Sequence, residues 1–73
     1  MLYYPEIMIG GVWIKPQVKT LYRSHERAYE AAERMLKESL VINGIMTPAE
    51  AEAYIAGGCD GAHCCDAVEY EGL

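Results

Sequence analysis

The 73-residue chain has no Lys or Arg beyond position 37, no apolar run approaching the roughly 20 residues of a membrane-spanning helix, and no repeat or low-complexity tract. Each absence narrows the reading. Without a spanning segment, no membrane partner is expected. The opening stretch MLYYPEIMIGG has no basic residue ahead of an apolar run and no small-residue cleavage site after one, so it does not read as a signal peptide. A cytoplasmic location with reduced thiols is therefore expected. Cysteine is scarce, at three, and the odd number argues against a self-contained disulfide framework. The C-x-x-C spacing of thiol oxidoreductases is missing, as is any catalytic or cofactor motif. A chain this short also offers little room for a cleft, so no enzyme activity is expected.

What remains is a small domain, 52% hydrophobic and 23% charged. A chain of this size buries only about 60% of its unfolded surface. Its net charge of -5 is distributed unevenly. Residues 1–37 hold six bases against four acids, +2 in all, whereas residues 38–73 hold seven acids and no base, -7. A lopsided field of this kind bears on partners more than on fold.

The segment YYPEIMIGGVWIKPQ predicts a β-hairpin about a tight Gly10-Gly11 turn. Ile9 then faces Val12, Met8 faces Trp13, Ile7 faces Ile14, Glu6 faces Lys15 and Pro5 faces Pro16. Alternation places Ile7, Ile9, Val12 and Ile14 on one side, the buried one, and Glu6, Met8, Trp13 and Lys15 on the other. Pro16 interrupts the second strand or ends it at an edge, and VKTLYR continues it with Val18, Thr20 and Tyr22 inward.

Ser24 is a suitable N-cap for a helix to about Leu40. Its apolar arc contains Ala28, Tyr29, Ala31, Ala32, Met35, Leu36, Ser39 and Leu40. Glu30 with Arg34 and Glu33 with Lys37 are spaced for pairing along its outer side. Asn43-Gly44 stops this helix. TPAE starts a second over Pro48 to Ala56, with Thr47 as cap, Pro48 in the first position and Glu50 closing a capping box. Gly57-Gly58 ends it. AVEYE then reads as a strand with Val68 and Tyr70 inward and Glu69 and Glu71 outward. The expected order is β-β-α-α-β, a single α+β domain in which two helices cover one face of an antiparallel sheet.

Three surfaces are candidates for function. The first is acidic: Glu50, Glu52, Glu69 and Glu71, with Trp13 and Tyr54 as aromatic anchors, would dock on a basic site of a larger protein. Small phage-encoded inhibitors of host nucleic-acid machinery, anti-CRISPR proteins among them, are similar in size and charge, though no motif accompanies that likeness. The second is the heptapeptide CDGAHCC. Cys59, His63 and Cys64 or Cys65 offer thiolate and imidazole ligands suited to zinc, with His25, Asp60, Asp66 or a second chain to complete the shell. The bland alternative is that these thiols pack as small hydrophobes. The third is a stripe of Trp13, Lys15, Lys19 and Arg23, which suits stacking and phosphate contact with single-stranded nucleic acid. The acidic balance opposes it. Met8 and Trp13, both outward, also suit a homodimer through the sheet.

Overall fold

In the computed structural model, which describes residues 1–14, 20–59 and 61–71, the elements follow the predicted order. They are β1 (Tyr3–Ile9), β2 (Val12–Ile14), α1 (His25–Ile42), α2 (Pro48–Ala56) and β3 (Cys64–Glu69). The sheet is antiparallel in the order β2-β1-β3.

The hairpin has the register that alternation requires: Ile7 opposite Ile14, Met8 opposite Trp13, and Ile9 opposite Val12. Gly10 and Gly11 both adopt positive φ, 60° and 82°, the conformation of a two-residue turn whose twist matches its strands. The expected pairings of Lys15 and Pro16, and the inward placement of Val18, fall outside the described residues. Beyond them, Tyr22 returns to β1, exchanging backbone hydrogen bonds of 2.8 and 2.7 Å with Tyr3. Thr20, expected to be inward, is exposed.

Both helices start where their caps dictate. The Ser24 hydroxyl accepts from the Arg27 amide at 3.0 Å. At α2, the Thr47 hydroxyl accepts from the Glu50 amide at 3.2 Å, and the Glu50 carboxylate accepts from the Thr47 amide at 2.9 Å. Two orphan amides are thereby satisfied reciprocally. Asn43 caps the end of α1, and Gly44 follows with φ 70°.

The core lies between α1 and the β1/β3 half of the sheet. Ile7 and Cys65 meet Ala32, Leu36 and Leu40 of α1 and Ala51 of α2. Leu36 and Leu40 are the largest side chains with no exposure at all. Small residues, Ala28, Ala31 and Ala32 from the helix and Cys65 and Ala67 from β3, let the layers approach closely.

Three expectations about burial are corrected. Val12 and Ile14, 64% and 45% exposed, share the helix-side face with Ile7 but lie past the strip that α1 covers. Tyr29 borders the apolar arc of α1 and is 38% exposed. On β3 the inward parity is reversed. The strand starts at Cys64, and pairing of Ile7 with Cys65 and Pro5 with Ala67 turns those small residues to the core and Val68 away from it. Side-chain size favoured Val68, but register against β1 decides the parity.

Candidate functional site

Alternation along three paired strands sorts the side chains cleanly. Pro5, Ile7, Cys65 and Ala67 face the helices and are buried. The other face carries Tyr4 beside Val68, Glu6 beside Asp66, and Met8 flanked by Trp13 and Cys64. Among the described residues no helix or strand lies over it. Trp13 is 45% exposed and Asp66 is exposed, while Tyr4, Glu6, Met8, Cys64 and Val68 are half-buried. An antiparallel sheet with one free face normally shows polar residues there. This one shows five apolar or aromatic side chains around two carboxylates.

The carboxylates oppose each other directly across β1 and β3. Like charges in that position destabilise a sheet. Asp66 is turned partly aside, its Oδ1 accepting from the Ala67 amide at 2.8 Å on the outer edge of β3. Among the described residues, the ion pair that forms lies elsewhere: Lys37 Nζ is 3.5 Å from Glu52. Lys37 thus crosses to α2 instead of pairing with Glu33 along its own helix.

The acidic residues singled out from the sequence do not form one patch. Glu50 is committed to the α2 cap, where hydrogen bonds from the Thr47 backbone and side chain hold its carboxyl below the usual range. Glu52 is beside Lys37 in the second half of α1. Glu69 pairs with Tyr3, whose ring meets His25 edge-on at 5.6 Å at the start of α1. Twelve helical residues, about 18 Å of rise, separate the His25 end from Lys37. Glu71 is exposed, two residues beyond Glu69.

Of the two aromatic anchors, Trp13 belongs to the free sheet face. Tyr54 is instead a structural tie. Its hydroxyl donates to the His63 carbonyl at 2.9 Å and accepts from the His63 amide at 3.2 Å. His63 in turn accepts from the Gly10 amide through Nδ1 at 3.0 Å, and the Ala62 carbonyl accepts from the Gly11 amide at 2.8 Å. Helix α2, the loop before β3 and the hairpin turn are joined through this node.

The heptapeptide's ligand types are spread apart. Cys64 and Cys65 are adjacent on a strand and project to opposite faces. Cys59 packs against the core, at φ 61°. His63 Nδ1 is occupied by Gly10, and His25 stacks on Tyr29 with ring centres 6.4 Å apart. Among the described residues no three His, Cys, Asp or Glu side chains converge to hold a metal ion. Asp60, considered for a fourth ligand, lies outside them. Burial raises the Cys65 thiol above its ordinary pKa, more than a hydrogen bond from the Tyr29 hydroxyl lowers it. The same hydrogen bond, with the nearby sulfur's charge and burial, lifts Tyr29 to about 12. A thiol held protonated is a poor nucleophile and a poor ligand.

The basic stripe is only partly in view, because Lys15 and Lys19 are outside the described residues. Trp13 is outward as expected, but the described side chains beside it are apolar or acidic. No described helix is long and apolar enough to cross a membrane.

The free face was partly legible in the sequence, since the hairpin register alone turns Met8, Trp13 and Glu6 outward. Its completion by Tyr4, Asp66 and Val68 depends on the pairing of β3. Comparison with protein-family models, with curated proteins and with solved structures finds no match to this chain.

Proposed function

We propose that the protein is a small non-catalytic interaction module that docks on a basic site of a larger protein through the sheet face that no described element covers. The observation that carries this reading is the composition of that face: Tyr4, Met8, Trp13, Cys64 and Val68 around the Glu6–Asp66 pair, where a solvated sheet would be polar. Apolar and aromatic surface supplies burial on association, and aromatic residues are enriched among interface anchors. Among the described residues no base stands beside the paired carboxylates, and a partner's Lys or Arg would relieve their repulsion. The chain's net charge of -5 would steer such an encounter.

Site-specific photo-crosslinking tests the reading. A photoreactive residue in place of Trp13 is expected to trap a partner with a basic surface, and the same residue in place of Glu30, on the outer side of α1, is not. The Glu6→Lys, Asp66→Lys double variant should lose the crosslink. Crosslinking that is equal from positions 13 and 30, or that survives the double charge reversal, would overturn the proposal.

A further inference from the structure

The geometry points to the kind of segment that fits this face: we infer that the occupant is an amphipathic α-helix with one Lys or Arg set inside its apolar stripe. The inference rests on the proposal that the free sheet face is the docking surface. It goes further by specifying the partner's shape and pattern.

Three cross-strand rows follow one another along the sheet: Met8 with Trp13 and Cys64, then Glu6 with Asp66, then Tyr4 with Val68. Successive rows on one face of a strand are about 6.8 Å apart, and neighbouring strands about 4.8 Å. The face is therefore roughly 14 Å long between its outer rows, the rise of about nine helical residues, about 10 Å wide at the Met8 row where all three strands pair, and about 5 Å between the two strands described at the other rows. The opposite face of the same sheet is served mainly by one helix, α1, which fills the core against β1 and β3.

Along that length the chemistry runs apolar, acidic, apolar. A helix presents residues i, i+4 and i+8 on one stripe, about 6 and 12 Å along its axis. Apolar residues at the ends and a base in the middle meet all three rows. An ordinary amphipathic helix with an unbroken apolar stripe would bury Glu6 and Asp66 with no base beside them among the described residues, which is costly. A second copy of this chain, packed face to face about a twofold axis, would bring four carboxylates together at its centre. Nucleic acid would bring phosphates to the same place.

Two synthetic helical peptides of identical composition provide the probe, one with Lys inside the apolar stripe and one with that Lys on the opposite side. A third peptide carries Glu in the stripe. Trp13, the single tryptophan, reports binding by its emission, and amide shifts locate it. The Lys-in-stripe peptide is expected to bind about tenfold more tightly than its isomer, the value of one charge-assisted contact. The gap should close in the Glu6→Gln, Asp66→Asn double variant. Equal binding of the two isomers at this face would overturn the helix pattern and leave docking by the face standing. Absence of any shift at the face with all three peptides would overturn both. A concentration-dependent dimer that buries Trp13 would replace the helix with a second copy.

Discussion

Truncating Trp13 and truncating Leu36 should differ sharply in cost, although both remove large apolar side chains. Leu36 is fully buried between α1 and the sheet and is one of two large side chains with no exposure. Leu36→Ala therefore deletes its burial and leaves a cavity that backbone packing cannot close, a loss of about 2–5 kcal/mol. A chain of 73 residues has in all roughly 4–11 kcal/mol of stability. The substitution thus removes a large fraction of the total. Trp13 is larger but 45% exposed on a short strand with no described element over it. Trp13→Ala should cost less than about 1 kcal/mol, near the range of surface substitutions. Urea unfolding followed by far-ultraviolet circular dichroism reads both, since the Trp13 variant loses its fluorophore. With a slope of about 1 kcal/mol per molar urea, the Leu36 variant should lose 2 M or more of midpoint and the Trp13 variant less than about 1 M. Equal losses would refute the reasoning, because Trp13 would then belong to a second core and the sheet would have no free face.

Other consequences can be measured on the isolated protein. Tyr54→Phe removes both hydrogen bonds to the His63 backbone and should cost about 1–3 kcal/mol; faster hydrogen exchange of the Gly10 and Gly11 amides would accompany the loss, and unchanged exchange would contradict the node. Glu6→Gln relieves the like-charged pair and should raise stability by a few tenths to about 1 kcal/mol at low salt, with the gain fading as salt screens it; a loss at low salt would count against the pairing. Tyr29 ionises near 10 when free and near 12 when folded, so the folded state keeps a proton that the unfolded state releases. Its contribution is present in full below pH 10 and is lost as pH rises toward 12. The raised Cys65 thiol acts in the same direction from the ordinary thiol range upward. Tyr29→Phe should flatten the alkaline part of the stability profile, and an unaltered slope would deny the Tyr29–Cys65 hydrogen bond this effect.

The features legible in the sequence are those whose cause is local. Ser24, Thr47, Pro48 and Glu50 define two helix starts through contacts within four residues, and Gly10-Gly11 permits only a tight turn with a determined register. Features decided by distant partners were not legible. The parity of β3 follows from Ile7 opposite Cys65, and its inward residues are small because a helix lies over them. Hydrophobicity alone selects Val68 and Tyr70 instead. The same pairing separates Cys64 from Cys65, which sequence adjacency had suggested as alternatives for one ion. Glu50 and Glu52 are likewise distant from Glu69 because α2 packs near one end of α1 and the end of β3 lies near the other. Glu6 and Asp66 are 60 positions apart in the chain and gain meaning only when β1 and β3 bring them side by side.

Solvent paramagnetic relaxation of the free chain, with a soluble neutral gadolinium chelate, tests the central claim most directly. Side-chain protons of Trp13 should relax most strongly and those of the half-buried Met8 and Val68 measurably, while those of Ile7, Leu36 and Ala67 should be protected. Protection of Met8, Trp13 and Val68 at the level of Ile7 would show that the outward face of the sheet is already covered, and would contradict its role as a docking surface.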